Sequence, residues 1–434
     1  MRLGAIADDV TGACDLAGRA AEAGLPATVL LGVPDAGSPV DAFADGAGCT
    51  VVALIARTAP VERAVAEASA AARALLAAGA TQLYQKYCST FDSTPRGNIG
   101  PIADALVAVA GASGTIGTPS TPGSARTQYA GTLFAGGIPL AESPMRDHPL
   151  TPMRDSDVVR LLRPQTPKPV SLVRWEDVRL GPDRIAALSR EGHTLVDALL
   201  ERDLDAIAAA ILRSALERPV VASGGAGVGT ALARSAASER GDAGAPADPP
   251  HTATTATTVP AVPVTGRLIL AGSASAATRA QIEAFGGDVH ILDPFDLADD
   301  PDSELLRLRE ALARRTEPLA PVLVAASRDV ARAQRELGAA RAAGLIETAL
   351  AELAAIAVHD LGFSHLLVAG GETSGAVTSR LGARRLLIGR QAAPGVPWAV
   401  ALAGGRDVAL LLKSGNFGGA DLFTTAWEAA PCAP

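Results

Sequence analysis

One pattern governs what this chain can fold into. A short apolar run passes into a loop of acids, glycines or small hydroxyls and then into an alanine-rich helical stretch, again and again along the 434 residues. The first instance is Leu3–Ala7, followed by Asp8-Asp9, Thr11-Gly12 and a helical stretch over residues 13–23 that Gly24 is placed to end. Ala27–Leu31 and residues 50–55 read as further strands, residues 61–78 as a helix, and residues 184–217 as helix–strand–helix. After residues 236–264, rich in Ala, Thr, Pro, Asp and Gly, the alternation restarts. Strands are expected at Arg267–Ala271, 289–292, 321–325, His365–Ala369 and 409–412, with helices over 303–315 and 340–361. Strands joined by helices of this length make βαβ units, and hence a mainly parallel sheet. The expected fold is α/β with two domains, residues 1–235 and 265–434, each a mainly parallel sheet flanked by helices. Residues 236–264 form a linker or loose loop between them.

Composition limits the function classes. Hydrophobic residues are 48% and charged residues 19%, enough to bury a core and exclude disorder over most of the length. Aromatics are 3% and the net charge is −8, which argues against a nucleic-acid or anionic-membrane partner. An anionic ligand would have to find its positive surroundings locally, in a few Arg and Lys side chains and at helix N-termini. Cys14, Cys49, Cys88 and Cys432 show no C-x-x-C spacing, so they read as scattered thiols in a reduced, cytoplasmic compartment. The opening residues lack a basic segment followed by a long apolar one, and no run approaches 18 apolar residues, so neither a signal peptide nor a membrane span is expected.

Several segments carry chemistry. Asp8 and Asp9 stand just past a strand's carboxyl end, where open α/β sheets bind ligands. One of them could orient or deprotonate a substrate hydroxyl. Equally, Asp9 or Thr11 could simply cap the following helix. Residues 86–100 are dense in hydrogen-bonding groups: Lys86, Asp92, Ser93, Arg96 and Asn98 would suit a polyhydroxylated acid, Arg taking its carboxylate. A turn with a capped helix start is the plainer reading. Only three lysines occur, and two of them, Lys86 and Lys413, lie in such segments. Residues 142–153 contain three prolines and read as a loop. Three further strand ends run into glycines and small hydroxyls: Gly272-Ser273-Ala274-Ser275, Gly370-Gly371-Glu372-Thr373 and Ser414-Gly415-Asn416. One such loop is most simply a tight turn, but three at the same end of a parallel sheet point to an anion site. No P-loop, dinucleotide fingerprint, zinc-protease motif or lipase elbow is present, which leaves a dehydrogenase without its cofactor signature.

At these residues the chain resembles the four-carbon acid sugar kinases. The resemblance spans residues 3–230 and 266–424 and is carried by IADDVTGA (6–13), KYCSTFDSTPRGNIGP (86–101), ESPMRDHPLTPM (142–153), LAGSASAATR (270–279), GGETSGAV (370–377), APGVPW (393–398) and LKSGNFG (412–418). KYCSTFDSTP followed by GNIGP is most similar to the 3-oxo-tetronate kinases within that group. The resemblance implies transfer of the ATP γ-phosphoryl group to the terminal 4-hydroxyl of a four-carbon sugar acid, 3-oxo-tetronate first, with D-threonate or erythronate as the alternative acceptors. It implies a sugar-acid domain, then a nucleotide domain, and an active site in the cleft between them. Asp9 would be catalytic. Asp8, Arg57, Lys86, Asp92, Ser93, Arg96 and Asn98 would bind the acid, and Ser273, Ser275, Gly370, Gly371, Glu372, Thr373, Gly415 and Asn416 the nucleotide. Mg²⁺ would bridge the phosphates, with no protein ligand to name for it. The partners are then a sugar acid and ATP, and a homodimer is compatible with the reading. Two positions depart from the family's pattern: Ile55-Ala56-Arg57-Thr58 keeps the arginine of a K-S-R-T motif but not its lysine or serine, and Arg96 stands where the 3-oxo-tetronate members usually show Glu.

Overall fold

A computed structural model describes the chain except residues 35–42, 44–45, 148–150, 241–258, 316, 318, 327–329 and 433–434. It falls into two compact units, Met1–Ala256 and Thr257–Pro434.

In the first unit the strands lie in the order Ala27–Leu31, Cys49–Ala53, Leu3–Ala7, Gln82–Lys86, Val221–Gly224, Gly114–Thr118, Gly192–Val196 and Val170–Val173, all parallel. An all-parallel sheet must be covered on both faces, and Leu3–Ala7, Cys49–Ala53 and Gly192–Val196 are accordingly buried at every position. Helix Val61–Ala77 turns Ala64, Ala68, Ala71, Ala72 and Leu75 inward and packs with Ile99–Ala110 over Ile6 and Val52. Helix Val10–Glu22 packs instead with Ala226–Glu239, so closely that a Cβ on Gly229 would collide with Leu16. The neighbouring strands Leu3–Ala7 and Cys49–Ala53 thus send their connections to opposite faces. Such a switch point opens a crevice at the carboxyl ends of the two strands.

A small antiparallel sheet, Arg126–Tyr129, Thr132–Ala135 and Ile138–Pro139, leads into the 3-10 turns Leu140–Glu142 and Pro144–Asp147. Leu133, Leu140, Met145 and Met153 pack on Tyr87 and Phe91, so much of the proline-rich segment read as a loop is a packed cover; residues 148–150 lie outside the described residues.

In the second unit the order is Asp288–Leu292, Pro321–Ala326, Arg267–Ala271, His365–Ala369, Arg406–Lys413, Val396–Ala403 and Arg385–Ala393. The first five are parallel, and the last two are joined on by antiparallel pairing, Val396–Ala403 running opposite to both its neighbours. No strand was expected over 385–403, because Arg385, Arg390, Pro394 and Pro397 break the apolar pattern. Trp398 and Trp427 anchor the core beside this hairpin, with Trp398 Nε1 donating to Ala426 O at 2.8 Å.

Other boundaries also differ from expectation. The first helix begins at Val10 rather than near residue 13, because Asp9 is its N-cap. Residues 236–239 continue the helix Ala226–Glu239, as alanine-rich sequence favours. Val262 is buried in the second unit's core and bridges to Cys432. The irregular stretch is therefore shorter at both ends than 236–264, and residues 241–258 lie outside the described residues. One helical segment, Ala340–Asp360, is long and apolar enough to cross a membrane by length and composition, although charged residues interrupt it; 56% of its most apolar window is buried inside the protein. It is the helix Ala339–Ala355 plus a π-helical turn, Ile356–Asp360, and it packs on helix Gly371–Arg380.

Candidate functional site

In the first unit Ala7 pairs with both Ala53 and Lys86, and Lys86 with Gly224, so these strands end on one line. The ladder runs one residue further: Asp8 N donates to Lys86 O at 3.1 Å, and Ala56 N to Asp8 O at 3.0 Å. That registration brings Asp8, Arg57 and Lys86 together from three strand ends. Arg57 donates to Asp8 through Nε (2.9 Å) and Nη2 (3.1 Å). Its Nη2 also lies 2.7 Å from Asp9 Oδ2, while Nη1 is 3.8 Å from Asp92 Oδ2. Lys86 is buried, with Nζ donating to Tyr87 O at 3.0 Å.

Of the two roles left open by its position, the structure shows the cap for Asp9. It caps the helix, accepting from Gly12 N at 2.6 Å, and receives a longer contact of 3.4 Å from Thr11 Oγ1. It also faces the Arg57–Lys86 charge. Burial pushes its carboxyl up, but Arg57, Lys86 and the Gly12 N–H outweigh that and hold it below the ordinary aspartate value. For Asp8, burial and the adjacent Asp9 charge outweigh Arg57, and its carboxyl is raised. Arg57 is held charged: its own burial opposes this, but Asp8 and Asp9 raise it well above its ordinary value.

The remaining residues expected to bind the acid divide. Asp92 is buried and accepts from Thr90 Oγ1 at 2.6 Å. Ser93 Oγ accepts from Gln165 Nε2 at 2.9 Å, which ties its own loop. Asn98 gives both Nδ2 hydrogens to backbone, to Ala56 O at 2.7 Å and Ala59 O at 2.8 Å, so it holds the Arg57 loop in place. Arg96 is exposed and forms no ion pair among the described residues. Gln85 was not singled out in the sequence because it sits inside a strand. Its Nε2 donates to Ile99 O at 2.8 Å, while its buried Oε1 has no partner among the described residues, and the side chain lines one pocket with Asp8, Arg57, Lys86, Asp92 and Asn98.

In the second unit Ala271, Ala369 and Lys413 are in register on adjacent parallel strands, so the three glycine loops leave the sheet side by side. Gly272 N and Ser273 N both donate to Ala369 O at 3.1 Å, and Gly370 N to Lys413 O at 3.0 Å. Gly370 has φ +136°, and a Cβ there would lie 2.9 Å from Thr373 Oγ1, so only glycine lets the chain turn directly into helix Gly371–Arg380. A Cβ on Gly415 would meet the Ser273 hydroxyl. Ser275 caps helix Ala276–Ala284 through Thr278 N at 3.2 Å and donates to Gly415 O at 2.6 Å; Ser273 Oγ accepts from Ser275 N at 3.2 Å. Ser275 is therefore scaffolding for the Gly415 loop. Thr373 is buried against Gly272 and Gly370, whereas Glu372 is exposed in the first turn of its helix. Asn416 lies on the loop beyond Gly415.

Lys413 lies beneath these loops with no exposure, and its Nζ donates to Gln281 Oε1 at 2.8 Å, Thr278 Oγ1 at 3.0 Å and Gly415 O at 3.0 Å. Burial pushes its ammonium down to about 7. The scarcity of lysine pointed at Lys413, but nothing in the sequence pointed at Thr278 or Gln281. Among the described residues no three His, Cys, Asp or Glu side chains converge as a metal site, so the donor set does not provide a protein cage for Mg²⁺.

Comparison with known proteins agrees with this division. Residues 3–232 match the family model of a sugar-binding N-terminal domain, and residues 268–423 that of a nucleotide-binding C-terminal domain. The chain is 42% identical to a 3-oxo-tetronate kinase of Methylobacterium radiotolerans, with 99% of each chain covered. It is 41% identical to a 3-oxo-tetronate kinase of Pseudomonas fluorescens, covering 98% of this chain and 96% of that one. Among solved structures, a Salmonella typhimurium LT2 protein provisionally named a tRNA synthase superposes with a TM-score of 0.79 at 34% identity, with 98% of each chain covered. A Haemophilus influenzae protein superposes with a TM-score of 0.71 at 33% identity, over 98% of this chain and 99% of that one. The two matched domains and the relatives sharing nearly the whole length place this chain in the four-carbon acid sugar kinase family.

Proposed function

We propose that the protein is an ATP-dependent kinase that phosphorylates the terminal 4-hydroxyl of 3-oxo-tetronate, yielding 3-oxo-tetronate 4-phosphate. The observation that carries this is likeness over nearly the whole chain, at about 40% identity, to proteins named for that activity. The residues suit the chemistry. Phosphoryl transfer through a loose transition state asks for positioning and charge stabilisation, with little need for early proton removal. A carboxylate held below its ordinary value is a weak base but a good hydrogen-bond acceptor, so Asp9 orients the attacking hydroxyl and takes its proton late. Arg57 and Lys86 supply the positive charge for the acid's carboxylate, Arg57 through the Nη1 edge that its closest aspartate contacts leave over. Backbone N–H groups at the start of helix Gly371–Arg380 and in the neighbouring glycine loops hold the ATP phosphates. Mg²⁺ would enter with ATP and supply positive charge to its phosphates, and no cluster of three His, Cys, Asp or Glu among the described residues would hold it. The chemistry requires the hydroxyl beside Asp9 and the γ-phosphate to meet, with water shut out.

A second acceptor class, D-threonate or erythronate, is favoured by one observation: Arg96 stands where 3-oxo-tetronate kinases usually show Glu, and it is exposed with no ion pair among the described residues. A coupled ADP-release assay with Mg-ATP tests both, run against 3-oxo-tetronate, D- and L-threonate, and D- and L-erythronate. Turnover of the oxo acid alone supports the main reading. Turnover of a threonate or erythronate in its place moves the substrate to the second reading and makes Arg96 the first residue to exchange. Silence across the panel refutes both.

A further inference from the structure

The loop that follows Lys413 has no regular structure, yet its carbonyl oxygens are held from below. Gly415 O accepts from Ser275 Oγ at 2.6 Å, Thr278 Oγ1 at 2.9 Å and Lys413 Nζ at 3.0 Å. Gln281 Nε2 reaches Phe417 O at 3.0 Å, Gly418 O at 3.2 Å and Gly419 O at 3.0 Å. Lys413 joins these two sets, since its remaining hydrogens go to Thr278 Oγ1 and Gln281 Oε1. Lys413 Nζ spans the two sets whichever way the Thr278 hydroxyl is turned.

A trans peptide places its N–H opposite its C=O. Fixing the carbonyls of Phe417, Gly418 and Gly419 toward Gln281 therefore turns the N–H groups of Gly418, Gly419 and Ala420 away from it. We propose that Lys413 is a positioning residue for ATP: by bridging Thr278 and Gln281 it sets the peptide planes of residues 415–420 and so the direction in which this loop presents its N–H groups to the phosphates. The proposal rests on reading the second unit as the nucleotide-binding one. Lys413 lies under the loop with no exposure, so it acts through the loop.

The test compares wild type, Lys413→Met, Gln281→Met and the double variant, by calorimetric titration with Mg-ATP and by steady-state kinetics. Each single variant is expected to weaken ATP binding and raise KM for ATP by roughly ten-fold, with kcat and KM for the sugar acid within about two-fold of wild type. The double variant should be no worse than the worse single one, because both cut the same bridge. Unchanged ATP affinity, losses that add in the double variant, or a parallel fall in every constant would each overturn the positioning role. Should Lys413→Met fail to fold, Gln281→Met against Thr278→Val carries the same comparison. A folded wild type that binds no ATP would overturn the nucleotide reading itself, and the proposal with it.

Discussion

Asp9→Asn separates the helix cap that the structure shows at Asp9 from the catalytic role proposed for it. As a helix cap, asparagine ranks with aspartate, so the Gly12 N–H keeps an acceptor. As a charge, the residue disappears. The cluster holds three carboxylates, Asp8, Asp9 and Asp92, against Arg57 and Lys86. Removing one acid leaves two against two, and Arg57 retains its paired contacts to Asp8 at 2.9 and 3.1 Å. Stability should therefore fall by less than about 1 kcal/mol, a melting shift of no more than about 2–4 °C for a unit of this size. Catalysis should fall much further. Loss of a proton acceptor at the reacting hydroxyl lowers kcat by roughly 10²- to 10⁴-fold, about 3–5 kcal/mol in the barrier. The assay is ADP release under saturating acid, with ATP affinity measured separately by titration and folding by thermal melt. A kcat within a few-fold of wild type would refute the role. A fall in ATP affinity as large as the fall in kcat would refute it too, because Asp9 would then be acting on the fold or the nucleotide.

Three further outcomes follow from the same geometry. Asn98→Ala removes both hydrogen bonds to Ala56 O and Ala59 O, at about 1 kcal/mol each, and should lower stability by about 2 kcal/mol and raise KM for the acid more than KM for ATP, as read in kinetics beside chemical denaturation. Gly370→Ala forces a side chain onto φ +136° and against Thr373 Oγ1, costing about 1–3 kcal/mol, and should weaken ATP binding in calorimetry without changing KM for the acid. The Asp9 carboxyl is lowered, so it stays ionised from neutral pH down past the ordinary aspartate value near 4, and kcat should stay flat over that range and fall only below it. The stability that this ionised carboxyl contributes is likewise present above its unfolded value and lost as pH falls through the folded one. An acid limb in kcat centred above about 5 would assign the critical proton to another group, with Asp8 the first candidate because its carboxyl is raised.

The parallel sheets were legible because strands such as Leu3–Ala7 and His365–Ala369 are apolar at nearly every position and end abruptly at acids or glycines. That punctuation also marked Asp8, Asp9 and the three glycine loops. The antiparallel hairpin Arg385–Ala393 and Val396–Ala403 was not legible, since its outer strand mixes arginines with apolar residues and two prolines interrupt the run. The clustering of Arg57 with Asp8 depends on the pairing register of separate strands, which local pattern does not encode. Asn98 and Ser275 illustrate a second limit. A dense polar segment signals that polar groups are needed, but not whether they face a ligand or hold a loop, and here both hold loops. Gln281 and Gln85 were invisible because an amide inside a helix or strand carries no local signature of what it will face. Lys86 and Lys413 were marked only by rarity, yet each ends a parallel strand and lies buried beside the loops that leave the sheet.

The most direct test of the account is to mix the protein with Mg-ATP and 3-oxo-tetronate and identify the product by phosphorus NMR. Transfer to the terminal hydroxyl predicts ADP together with a new phosphomonoester signal split by the two hydrogens of a CH₂ group. A signal split by one hydrogen would place the phosphate on the secondary hydroxyl, and the absence of any new phosphomonoester would contradict the kinase account itself.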